Sequence, residues 1–127
     1  MARWTIKNVR MAGVAAAVPK NIVKTTDFDF FTPEEAETFN NTVGIKSRHL
    51  GPDTMCASDM CQAAAERLLA DLGWEKESID VLLFESVTGD FKTPPTSCIL
   101  QDRLELSENC FCMDIPMGCC GCMYAVT

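Results

Sequence analysis

Five of the eight cysteines in this 127-residue chain crowd into one short stretch near its end, N-C-F-C-M-D-I-P-M-G-C-C-G-C-M-Y-A-V-T over residues 109–127. A cysteine does chemistry as its thiolate, by attacking an electrophilic carbon, by pairing with a second thiol or by binding a metal. Cys119 has the setting for the first. Residues 110–115 are almost wholly apolar and end at Pro116-Met117-Gly118, which predicts a buried strand closed by a sharp bend. Residues 119–127 are small and apolar with no breaker after Gly121, so the chain can start a helix there. A cysteine where strand gives way to helix meets unpaired backbone N–H groups and the positive end of the helix dipole, and both favour the thiolate. Cys119 is therefore the candidate nucleophile.

The same stretch admits other chemistry. Cys119 and Cys122 form a C-x-x-C, which suits a redox pair or half of a zinc site. No second C-x-x-C and no H-x-x-x-H follows, and the single histidine, His49, is far away in sequence, so no metal is expected. A disulfide framework is not expected either. Cys56 and Cys61 fall in a helical pattern and Cys110 and Cys112 in an apolar strand, where free cysteine packs as a small hydrophobe in a reducing, cytoplasmic compartment. Eleven basic side chains against eighteen acidic ones leave no basic face for nucleic acid. No apolar run is long enough to cross a bilayer. Residues 1–7 are basic and 11–18 apolar, as in a leader, but Asn8 and Arg10 interrupt the pattern; a first buried strand is the better reading.

The elements that must position Cys119 follow from periodicity and punctuation. Residues 4–18 are expected as a first strand, with Gly13 marking close approach of another group, and residues 21–27 as a polar loop. Thr32-Pro33-Glu34-Glu35 reads as a capped helix start running to about Asn41, with a polar loop at 46–49. Residues 54–72 are a helix: Cys61, Ala64, Ala65, Leu68 and Leu72 share one face, and Gly73 stops it. Residues 79–87 hold the run Val81-Leu82-Leu83-Phe84, a strand expected to be covered on both faces. A helix over 97–106, with Leu100 and Leu104 inward, leads to the strand at Cys110. Strand, helix and strand in that order imply a parallel βαβ unit, whose chemistry gathers at the carboxyl ends of the strands. Two loops reach that edge, residues 88–95 and 116–119. No linker or repeat interrupts the chain, so residues 1–127 read as one domain.

Val43 to His49, Thr88-Gly89-Asp90 with Pro94, and Asp114 to Val126 together resemble, in order and spacing, β-ketoacyl-acyl-carrier-protein synthase III, a condensing enzyme of the thiolase superfamily. Val43-Gly44-Ile45-Lys46-Ser47-Arg48-His49 is similar to its T-G-I-x-x-R-H segment. Thr88-Gly89-Asp90 with Pro94 is similar to its T-P-D…P-S segment. Asp114 to Val126 resembles its nucleophile stretch, D-x-x-x-x-C-x-G-x-x-Y-A-L, with Cys119, Gly121, Tyr124 and Ala125 in register. The resemblance implies an α/β, thiolase-like fold, of which this chain is part of the N-terminal αβα half with a mixed, largely parallel sheet. It also implies an acyltransferase in which Cys119 takes an acyl group from a thioester of coenzyme A or acyl-carrier protein. Decarboxylative Claisen condensation with malonyl-acyl-carrier protein follows, with no tightly bound cofactor. The backbone N–H of Cys119 would serve the oxyanion hole, Cys120 and Cys122 would be packing residues, and the full protein would be a homodimer.

The chain departs from that pattern in three ways, one being that Cys120 and Cys122 make the neighbourhood of Cys119 thiol-rich and open to oxidation. The family's catalytic histidine and asparagine lie beyond the nucleophile helix, His49 does not replace the histidine, and the isolated chain is expected to be incomplete for catalysis. Members that clamp coenzyme A carry a tryptophan and an arginine where this chain has Thr38 and Thr42, which favours a carrier-protein-bound or unusual donor. The nearest enzyme alternative is a 3-hydroxy-3-methylglutaryl-coenzyme A synthase, which shares the fold and the cysteine and adds a glutamate. Counting along the strand puts Ser86 at that position and turns Glu85 to the opposite face. A non-catalytic chain with a structural or metal-binding cysteine cluster is the remaining alternative.

Overall fold

Helix caps and paired strands account for most of the architecture of the computed structural model, which describes residues 5–126. The chain divides into two compact units, one of Met1–Ala17 with Cys56–Thr127 and the other of Val18–Met55.

In the second unit, helix α1 spans Pro33–Val43. Thr32 and Glu35 form the expected reciprocal cap: Thr32 N–H donates to the Glu35 carboxylate at 2.9 Å, and Glu35 N–H donates to Thr32 Oγ1 at 3.3 Å. That hydrogen bonding holds the Glu35 carboxyl below its usual range. Gly44 stops the helix at φ +81°, a left-handed conformation that side-chain-bearing residues resist. The two polar loops expected at 21–27 and 46–49 instead pair with each other. Strand β1 (Ile22–Lys24) lies antiparallel to β2 (Ser47–His49), with Ile22 opposite His49 and Lys24 opposite Ser47. Buried Thr25 fastens the ribbon, its N–H on Lys46 O at 2.9 Å and its hydroxyl on Ile45 O at 2.7 Å.

In the first unit, α2 (Ala57–Leu72) begins three residues after the expected start, because the Asp59 carboxylate accepts from Cys56 N–H at 2.8 Å and sets the cap there. Strand β3 (Val81–Glu85) pairs in parallel with β4 (Phe111–Ile115), from Val81 opposite Phe111 to Glu85 opposite Ile115. The crossover is α3 (Thr96–Arg103). It stops short of the expected end because Glu105 takes φ +55° and turns the chain. The α/β class and the parallel βαβ unit expected from sequence are present, with the strands falling into two two-stranded sheets.

Leu104, Leu106 and Cys110 form the core of this unit, with Ala65, Leu69, Ile79, Leu82 and Cys112 packed on them. Burial pushes the Cys112 thiol up to about 11, with help from Cys110, Cys98 and Asp114 nearby. Three expectations about burial differ. Val81, Phe111 and Met113 are exposed, so among the described residues one face of the strand pair is open except at its carboxyl end, where Ile115 is buried and Glu85 half-buried. Cys61 is exposed, since α2 turns Ala65 and Leu69 to the core instead. Residues 5–21 carry neither strand nor helix, because an extended segment becomes a strand only with a ladder partner; Trp4, the start of that expected strand, lies outside the described residues. Gly13 nonetheless marks a close approach. A Cβ there would stand 2.9 Å from Leu68 Cδ1 and 3.3 Å from Leu72 Cδ2.

Candidate active site

The carboxyl ends of β3 and β4 carry two very different structures. One is the 88–95 loop and the helix start that follows it. Thr96 and Ser97, both fully buried, donate their main-chain N–H groups to the two oxygens of Asp114 at 2.7 and 2.8 Å. Burial alone would raise the Asp114 carboxyl, but hydrogen bonds from Ser97 and Thr96 outweigh it and hold the carboxyl below the usual range. Asp90 does the same for α2: its carboxylate accepts from the N–H and from the hydroxyl of buried Ser58. Arg103 then donates to Ser58 Oγ at 2.9 Å and to Asp59 at 3.0 Å, and Asp90 N–H donates to Thr96 Oγ1 at 3.1 Å. Two aspartates thus sit at two helix N-termini, where unpaired N–H groups and the helix dipole favour an anion.

The other structure is the turn bearing Cys119. Met117 N–H donates to Ile115 O at 2.8 Å and Gly121 N–H to Gly118 O at 2.8 Å, and helix α4 (Gly121–Ala125) follows. Strand, turn and helix stand in the expected order, and the Cys119 side chain is exposed, as a nucleophile must be. Its N–H makes no hydrogen bond to a described residue. Cys120 and Cys122 are exposed as well, a correction to the expectation that they pack beside the nucleophile. The short helix turns Cys122, Met123 and Tyr124 outward.

Gly121 is buried and the last residue of β3 explains why. A Cβ on Gly121 would collide with Glu85 Oε1, Cγ and Cδ. Glu85 is half-buried against the base of the cysteine turn, not turned to the opposite face as strand counting suggested. A cavity of about 550 Å³ opens between the two loops, lined among others by Ser86, Asp90, Phe91, Lys92, Asp114 and Pro116; Cys119 is outside its lining.

Thr38 and Thr42 lie in the other unit, on a groove along α1 shared with Phe31, Phe39, Val43, Glu34 and Glu35. His49 is an exposed residue of β2 whose ring Nδ1 donates to Pro19 O at 2.5 Å. Sequence reasoning missed Ser58 and the anchoring role of Asp114, and set Glu85 aside. A carboxylate inside the apolar run Phe111–Ile115 was the available signal for Asp114, since a buried anion must have donors.

Comparison with known proteins adds the family. The β-ketoacyl-[acyl-carrier-protein] synthase III of Clostridium perfringens is 33% identical over 121 residues, which are 95% of this chain and 37% of the relative. That of Geobacillus kaustophilus is 34% identical over 114 residues, 90% of this chain and 36% of the relative. The crystal structure of a 3-oxoacyl-(acyl-carrier protein) synthase from Burkholderia xenovorans superposes with a TM-score of 0.88 at 36% identity, covering 92% of this chain and 34% of that one. The chain is a relative of the β-ketoacyl-[acyl-carrier-protein] synthase III proteins. Its fold is part of the thiolase-like fold of those structures. It spans little more than a third of the length of the relatives it matches. No protein-family model matches it. Among the described residues no helix is long and apolar enough to cross a membrane.

Proposed function

We propose that the protein is a cysteine-dependent acyltransferase of the β-ketoacyl-acyl-carrier-protein synthase III type, with Cys119 as the acyl-accepting nucleophile. The observation that carries this reading is an exposed thiol on a strand–turn–helix whose own N–H is unengaged by any described residue. The thiolate attacks the carbonyl carbon of an acyl thioester, the developing oxyanion is met by main-chain N–H at the turn, and the carrier thiol leaves. Malonyl-acyl-carrier protein then loses carbon dioxide, and the resulting carbanion attacks the acyl-enzyme to give a β-ketoacyl product and free Cys119.

The histidine and asparagine that assist decarboxylation in the family have no counterpart assigned in these 127 residues, and His49, bonded to Pro19, is not proposed for the role. Thr38 and Thr42 neither stack nor carry charge, which favours an acyl-carrier-protein donor over a clamped coenzyme A nucleotide. We place the reaction in the cytoplasm, where exposed thiols stay reduced, and expect a homodimer.

The test is to incubate the protein with acyl-coenzyme A or acyl-carrier protein and locate the acyl group by peptide mass mapping. Cys119→Ala is expected to lose the label; label retained in that variant overturns the assignment. Glu85, packed on Gly121, supports a second reading, a 3-hydroxy-3-methylglutaryl-coenzyme A synthase-like acyl transfer with Glu85 as the acid. Malonyl-dependent carbon dioxide release favours the first reading. A loss on the order of a hundredfold in condensation for Glu85→Gln, without carbon dioxide release, favours the second.

A further inference from the structure

Cys119 and Cys122 are three residues apart and both are exposed. The backbone between them is wound: Gly121 N–H donates to Gly118 O at 2.8 Å and Met123 N–H to Cys120 O at 3.1 Å. Overlapping turns of this kind put positions 119 and 122 about 5–6 Å apart at Cα, within the span of a disulfide. Cys120 offers Cys119 no such partner, because bridging adjacent residues distorts the planar peptide between them. Two thiolates supply only half of a tetrahedral zinc set, and among the described residues no three His, Cys, Asp or Glu side chains are placed to hold a metal.

We propose that Cys119 and Cys122 form a reversible dithiol–disulfide couple that a peroxide closes and a thiol reductant reopens. One thiolate attacks the peroxide oxygen, the O–O bond breaks and a sulfenic acid forms. The second thiol attacks that sulfur, the S–S bond forms, and the S–O bond breaks with loss of water. The two sulfurs give up two electrons, and hydrogen peroxide is reduced to two waters. Closure occupies the sulfur of Cys119. That it also blocks acyl transfer rests on the function proposed above, whereas the bond itself does not.

The experiment treats the reduced protein with hydrogen peroxide, alkylates the remaining thiols and maps the peptides by tandem mass spectrometry before and after dithiothreitol. The wild type and Cys120→Ser are expected to show Cys119 joined to Cys122, lighter by two hydrogens and fully alkylatable again after reduction. In Cys122→Ser, Cys119 proceeds to sulfinic acid, and reduction recovers on the order of tenfold less alkylatable Cys119. Pairing of Cys119 with Cys120 or a distant cysteine, or recovery in Cys122→Ser as complete as in the wild type, overturns the couple. Acyl uptake is measured separately on the reduced protein. No uptake there defeats the acyltransferase reading alone, and uptake on Cys119 undiminished by peroxide defeats the block.

Discussion

The two loops at the carboxyl edge of the β3–β4 pair are built by opposite means. Around the 88–95 loop, buried Ser58, Thr96 and Ser97 are tied to Asp90 and Asp114, so two helix starts are held by side chains. Among the described residues the Cys119 turn is held by main-chain hydrogen bonds and by a steric fit of Gly121 against Glu85. The difference teaches that the residue proposed as nucleophile stands on the less anchored loop while the neighbouring loop is tied down by side-chain hydrogen bonds. A nucleophile must be reached and must change its covalent state, so dense side-chain ties to it would be broken in every cycle, whereas ties beneath it are not.

Mutations can break this contrast at either end. Asp114→Ala leaves two buried amides without their acceptor, and a loss of about 2 kcal/mol is expected in chemical unfolding. The folded Asp114 carboxyl titrates below its unfolded value. Its stabilisation is therefore complete above the unfolded pKa and lost as pH falls through the folded one, so wild type and variant should converge in acid, below about pH 4. Ser58→Ala removes a donor to Asp90 and an acceptor for Arg103; about 1–2 kcal/mol is expected. Gly121→Ala forces Glu85 aside at a cost of about 1 kcal/mol. Adding Glu85→Ala should return most of it, a coupling measurable in a double-mutant cycle. Cys119→Ala should change stability by less than about 0.5 kcal/mol, since its side chain is exposed. A larger loss there would mean the turn is anchored through the sulfur after all.

What the sequence disclosed and what it hid divide along the same physical line. Local signals were legible: the Thr32–Glu35 cap and Gly44 bound α1, and the apolar runs at Val81 and Cys110 became β3 and β4. Contacts between distant segments were not. Strands β1 and β2 are three residues each, largely polar, and defined only by their pairing across more than twenty residues, so nothing local announced them. In the site, the Cys119 turn was visible from Pro116-Met117-Gly118. The side that Glu85 faces was misread because counting residues along a strand fixes parity only if the strand's end is known. Exposure of Cys120 and Cys122 follows from α4 setting Gly121, rather than its neighbours, against Glu85, which apolar composition alone could not foretell.

Asp114 has one more effect, on alignment. It sits opposite Phe84 in the parallel pair and grips the first turn of α3. Sliding β4 by a single residue would swing that anion to the other side of the sheet and strand it without donors. The carboxylate acts as a pawl, permitting one registration of the strand that delivers the thiol.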